Sequence, residues 1–186
     1  MERVCVIYFS KNGATAQLAQ AAVEGIRSNA CEAYLYEIKG AEIHEGRFVN
    51  LENLPEITKS KAIILASPTY MGGIAAQFKA FIDSTGDIWS TQGWAGKIAA
   101  GITSGSALNG DQSSTLQYLS LFASQHGMLW AGLDVAFDYN QLGLNRLGCQ
   151  LGVVAESKHN QVNPIDLKTA EYLGSRVARL VRLKNI

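Results

Sequence analysis

The sequence predicts an α/β fold with a doubly wound parallel sheet, and three observations carry that expectation. Short apolar segments alternate with amphipathic helical segments along the chain. Lys61-Ala62-Ile63-Ile64-Leu65-Ala66-Ser67 is almost continuously apolar, as a central strand covered on both faces must be. Three loops rich in Ser, Thr and Gly each follow a predicted strand. In such sheets ligands lie outside the carboxyl ends of the strands, so the three loops are expected to converge.

Taken in order, Arg3–Phe9 is an apolar strand, and Ala16–Ser28 places Leu18, Ala22, Val23 and Ile26 on one helical face. Ala33–Ile38 alternates as a strand does. Gly40–Asn53 is polar and irregular, and Leu54–Thr58 fits a short helix or turn. The central strand Lys61–Ser67 is expected to end at Pro68. Ala75–Ser84 then reads as a helix with Phe78, Phe81 and Ile82 inward, Lys97–Thr103 as a second buried strand, and Ser113–His126 as a helix. Met128–Leu133, an irregular connector through Gly148 and a continuation of the same strand at Gln150–Ala155 lead to a last helix, Ile165–Leu183. There is no repeat, linker or low-complexity stretch, so residues 1–186 are expected to form one domain.

Sixteen basic residues balance sixteen acidic ones, and neither sign forms a run. That argues against a nucleic-acid groove and for a small-molecule partner. Cys5, Cys31 and Cys149 are scattered and have no histidine at ligand spacing, which argues against zinc, an iron–sulfur cluster or a disulfide framework. No metal is expected. The N-terminus enters a strand without a basic segment or cleavage site, and no apolar run is long enough to span a bilayer, so a cytoplasmic location is expected.

The first loop, Ser10-Lys11-Asn12-Gly13-Ala14-Thr15, joins a buried strand to a helix. Gly13 supplies a permissive backbone, and the helix turns its free N–H groups towards the loop, the makings of an anion site. Ser10, Asn12 and Thr15 add neutral donors. An ordinary capped turn fits the same residues. In the second loop, Ser67-Pro68-Thr69-Tyr70-Met71-Gly72-Gly73, the glycine pair allows close backbone approach to a flat ligand, with Tyr70 and Met71 against its edge or face. A turn lidding the core is the alternative. The third loop, Ser104-Gly105-Ser106-Ala107-Leu108-Asn109-Gly110, offers further backbone donors or is a solvated turn.

Together these residues resemble the flavodoxin-like FMN proteins, and among them the WrbA-type NAD(P)H:quinone oxidoreductases of the NADPH-dependent FMN reductase-like superfamily. The likeness runs through Tyr8-Phe9-Ser10-x-x-Gly13, Ser67-Pro68-Thr69-x-x-Gly72, Gln77-x-x-x-Phe81-x-Asp83-x-Thr85-Gly86-x-x-Trp89, Gly96-Lys97 and His126-Gly127-Met128. It implies a five-stranded parallel sheet of order 2-1-3-4-5 with helices on both faces. It implies FMN, its phosphate held by Ser10, Lys11, Asn12, Gly13, Ala14 and Thr15, its ring framed by Pro68, Thr69, Tyr70, Met71 and Gly72, and its pyrimidine end lined by Ser104, Gly105, Ser106 and Gly110. It further implies NADH or NADPH as reductant, quinones as acceptors, and a homodimer or homotetramer in which Trp89 reaches over a partner subunit's flavin. Departures are Ala107, Leu108 and Asn109 where relatives carry more glycine, Tyr70 in place of a basic residue, and a shorter connector at Asp134–Gly148.

His126 fits two roles, a proton or hydrogen-bond donor to the acceptor at the pocket's edge, or a helix C-terminal cap beside Gly127. His44 and His159 read as surface. Trp89 is favoured as an interface residue by its polar, glycine-bearing surroundings, whereas Trp94 and Tyr118 fit either interface or core. Asp83 reads as structural, and Lys11, Arg176, Arg179 and Arg182 as solvated. Competing functions are a flavodoxin-type electron carrier, for which a strongly acidic face is usual, a flavin reductase using diffusible FMN, and an FMN-free interaction module.

Overall fold

A computed structural model describes residues 1–137 and 141–183. Five parallel strands, β1 (Arg3–Tyr8), β2 (Glu32–Glu37), β3 (Ala62–Tyr70), β4 (Ile98–Gly105) and β5 (Val153–Lys158), lie in the order β2-β1-β3-β4-β5. The helices are α1 (Ala14–Arg27), α2 (Leu54–Thr58), α3 (Ala76–Asp83), α4 (Gly86–Ser90), α5 (Gln112–Gln125) and α6 (Pro164–Leu183). Alternate strand residues feed two cores, as the two-residue period requires. Val4, Val6, Ile64, Ala66, Ile102 and Val153 pack with Leu18, Val23, Leu173 and Val177 of α1 and α6. Cys5, Ile7, Ile63, Leu65 and Ala99 pack on the other face with Phe78, Phe81, Trp94, Leu119 and Phe122.

β3 does not end at Pro68. It continues to Tyr70 because Pro68 shares its parity with Ala66, whose carbonyl accepts from Phe9 N–H on the β1 side. β1 has left the ladder by then, so the missing proline N–H costs no sheet bond, while Pro68 stays in register with Ser104 of β4. The stretch 40–53 is also more ordered than its polarity suggests. Ile43–His44 pairs with Arg47–Phe48 across a turn in which Glu45 and Gly46 both have positive φ, and Phe48 meets Phe81 edge-on at 5.3 Å.

The last strand forms in two pieces, as the interrupted pattern predicts. Leu129–Trp130 pairs with Ile98 and Ala99 of β4, and β5 rejoins the same edge at Ile102. Trp130 donates its indole N–H to the Leu151 carbonyl at 2.9 Å, and its ring lies over Gly101, where a Cβ would come within 2.7 Å. Within the connector, residues 138–140 lie outside the described residues. Asn145 organises the rest, donating to the Val135 carbonyl and accepting from Cys149 N–H, both at 2.9 Å.

Helices α1 and α6 cross closely at two glycines. A Cβ on Gly25 would lie 1.9 Å from the Glu171 carbonyl oxygen, and one on Gly174 would lie 2.0 Å from that of Ala22. Both obstacles are helix backbone and cannot turn aside. Gly174→Ala is therefore expected to destabilise the fold by about 1–3 kcal/mol through forced separation of the helices, read as a lower midpoint in urea unfolding.

Candidate functional site

β1 delivers the chain to the carboxyl end of the sheet, where Ser10–Gly13 turn it into α1. Gly13 sits at the N-cap with φ 86°, and no side chain caps the helix, so the first N–H groups of α1 face the loop unclaimed by a capping residue. Among the described residues the buried Ser10 hydroxyl oxygen has no hydrogen-bond partner, a donor that a bound anion would satisfy. Thr15, almost wholly buried, bonds Ser104 Oγ at 3.0 Å and so ties the first loop to the third.

A cavity of about 320 Å³ opens over these strand ends. The first loop lines it with Ser10, Lys11, Asn12, Ala14 and Thr15, the second with Pro68, Thr69 and Tyr70, and the third with Ser104, Gly105 and Ser106. The expected convergence of the loops is thus found, and no Asp or Glu among the described residues lines the cavity. Gly13 acts beneath the loop, through its backbone conformation. Two expected contributors, Met71 and Gly110, stand outside these walls. Met71 and Gly72 form a two-residue turn of positive φ between Tyr70 and Gly73, which leaves the Met71 side chain fully exposed at the hairpin tip. Gly72 lines an adjoining groove of about 980 Å³ that shares Lys11 and Tyr70 with the cavity and runs on past Ile74, Gln77 and Tyr118. Gly110 shapes the turn into α5, with φ 53°, without lining the cavity.

The cavity walls rest on a second layer of hydroxyls. Thr69 Oγ1 bonds Thr103 Oγ1 at 2.7 Å and Thr115 Oγ1 at 2.9 Å, joining the second loop to β4 and α5. Ser67 donates to the Pro68 carbonyl and accepts from Ala75 N–H, and Ser114 donates to the Gly72 carbonyl. Gln112 donates to the Ala107 carbonyl at 2.8 Å and packs so tightly on Gly105 that a Cβ there would sit 2.9 Å from its amide carbon.

His126 is placed away from this cavity. It caps α5, whose 14 residues carry the chain about 20 Å back towards the amino ends of the strands. There its Nε2 bonds Thr85 Oγ1 at 3.0 Å, and its ring lies between Trp94 and Phe122, at 4.7 and 4.8 Å. Burial lowers its pKa by penalising the charged imidazolium. Within one chain it is therefore a packed cap and not an edge of the crevice. Trp94 is fully buried, its indole N–H donated to Thr58 Oγ1 at 3.0 Å, which settles it as core. Trp89 stands half-exposed on α4, near the His126 end of the molecule, since Gln92 donates both to its carbonyl and to that of Gln125. It is not beside its own chain's cavity. Asp83 pairs with Lys79, as a structural role requires. Arg176 departs from a purely solvated face, bonding the Gly132 carbonyl and Asp134.

Ser157, His159 and Asn160 also line the cavity, His159 being exposed there as the sequence reading expects. They arrive on a hairpin beyond β5, where Lys158 pairs with Gln161. The asparagine in a two-residue turn is the one local signal of that hairpin. That it folds over the first loop depends on the sheet order.

A doubly wound sheet with an anion loop at its first strand, and two further loops over the same strand ends, defines a flavodoxin-like protein. A family model described as NADPH-dependent FMN reductase matches residues 3–141, and the chain belongs to that family. Flavodoxin FldP of Pseudomonas aeruginosa is 34% identical over 97% of this chain and 97% of its own length. An NAD(P)H dehydrogenase (quinone) of Archaeoglobus fulgidus is 32% identical over the same shares. A flavodoxin, WrbA-like protein from Agrobacterium tumefaciens superposes with a TM-score of 0.77 at 34% identity, covering 98% of this chain and 99% of that one.

Thr15→Ala removes both the tie to Ser104 and a hydroxyl from the anion loop. Its expected effect is FMN affinity weakened roughly ten-fold or more, the worth of one hydrogen bond to a charged group, with riboflavin affinity scarcely changed. Calorimetric titration of both flavins checks this, and equal losses for the two would remove Thr15 from a phosphate-binding role.

Proposed function

We propose that this chain is an FMN-dependent oxidoreductase that takes two electrons from NADH or NADPH and reduces quinones. The observation that carries the reading is the anion loop, with its uncapped helix terminus, buried unpartnered Ser10 hydroxyl and, among the described residues, no acidic lining. Ser10, Asn12, Thr15 and the first N–H groups of α1 would hold the terminal phosphate, Pro68–Tyr70 and Ser104–Ser106 the ring. FMN supplies the two-electron redox chemistry when bound. The protein's part is to orient it, to set backbone donors of the second and third loops against developing charge, and to leave room for one substrate at a time. No side chain of the cavity need act as a dedicated acid.

The relative named flavodoxin FldP favours a second reading, single-electron transfer to a protein acceptor. The balanced charge of this chain favours the enzyme, since carrier docking usually draws on an acidic face. The reading includes a cytoplasmic location, with which three unbridged cysteines agree. Among the described residues, no helix is long and apolar enough to cross a membrane, and no cluster of ligating side chains is present.

Purified protein loaded with FMN is expected to bleach with NADH or NADPH under argon and regain colour with a benzoquinone. Steady-state turnover should give parallel double-reciprocal lines, because both substrates use one site in turn. Failure to bleach would overturn the oxidoreductase reading, and intersecting lines would replace the shared site with two.

The reading extends to a homodimer or homotetramer with shared sites. Trp89 and His126 both lie at the end of the molecule remote from their own cavity, so either can serve only a neighbouring subunit's flavin. Light scattering on wild type and Trp89→Ala is expected to give an oligomer that the substitution loosens, with lower quinone turnover and FMN still bound. A wild-type monomer active with quinones would remove the shared site.

A further inference from the structure

The hairpin beyond β5 has an unusual tip. His159 and Asn160 both have positive φ, 50° and 65°, the geometry that Asn-Gly fills with least strain. An imidazole at the first of these positions carries a conformational cost that glycine would remove. The tip is nevertheless held firmly. The Gln17 amide on α1 donates to the Asn160 carbonyl at 3.1 Å and to the Gly13 carbonyl at 3.3 Å, fastening the hairpin to the residue that opens the helix. At the hairpin's root, Arg146 bonds both carboxylate oxygens of Asp166 at 2.9 Å and Glu156 at 3.1 Å, and Asp166 accepts from Glu156 N–H at 2.9 Å.

We infer that His159 is a ligand of the FMN phosphate, closing the anion loop from the side of the fifth strand. The inference rests on the FMN reading above. His159 lines the same cavity as Ser10, Asn12 and Thr15, and an imidazole presents an N–H donor in either protonation state. Among the described residues Lys11 lines the cavity across the loop, while Lys158 beside the tip is paired with Glu156. No carboxylate among the described residues lines the cavity to compete for the imidazole. The phosphate monoester is therefore clamped between two distant parts of the chain, and the clamp selects FMN over riboflavin.

The test separates donor from turn. His159→Gly relieves the backbone while deleting the donor, and His159→Asn keeps a donor that tolerates positive φ. Quenching of flavin fluorescence is expected to give FMN affinity roughly ten-fold weaker for His159→Gly, nearly restored by His159→Asn. Riboflavin affinity should be equal in all three proteins, and the melting temperature of the FMN-free His159→Gly protein should equal or exceed the wild type's. Wild-type FMN affinity in His159→Gly, or a parallel loss of riboflavin, would overturn the inference while leaving the FMN reading intact. A wild-type protein that takes up no FMN would overturn both.

Discussion

The free amino end of α1 is the constraint on which the site depends. A helix can present unpaired N–H groups to a cavity only if its own sequence does not cap them and its axis is fixed. Gly13 meets the first condition, since it reaches a left-handed N-cap with no side chain to turn inward. The glycine crossing with α6 meets the second, locking α1 against a twenty-residue helix at backbone contact distance. An anion site assembled from neutral donors tolerates little play, because each hydrogen bond must be aimed.

Around that terminus the protein spends small polar side chains where an average core would use apolar ones. Thr69, Thr103 and Thr115 share hydrogen bonds between three elements, and Ser67, Ser104 and Ser114 fasten the loops from below. Such a layer fixes loop geometry while adding no ionised group of its own to the cavity. It also explains why the second loop can end in an exposed hairpin tip without disturbing Pro68–Tyr70, since the bonds hold its base.

The fold was legible because its signals are periodic and local. The continuous hydrophobicity of Ala62–Ala66 marks a doubly covered strand, and the broken pattern from Met128 to Ala155 marks one strand in two pieces. The first loop was legible because strand, glycine and helix are adjacent in sequence. What escaped depends on register or on distance along the chain. Pro68 reads as a terminator until the early departure of β1 is known, and Met71 and Gly110 stand at turns outside the cavity walls. His126 carries a family motif, yet its place follows from the length of α5. His159 is 149 residues from Ser10 in sequence, and only the sheet order brings the two together.

The interrupted fifth strand has one further consequence. Trp130 is in register with Ala99 and Val153 with Ile102, so an unbroken strand would need only two residues between them, where twenty-two, 131–152, now stand. Sheet closure is indifferent to that surplus, and the excursion is free to change length over evolutionary time without shifting β4. Yet the surplus carries Arg146, the strut beneath the hairpin that reaches the cavity. A segment the strand register does not need has thus become a lever on the ligand site, and relatives that trim it must brace that hairpin by other means or do without it.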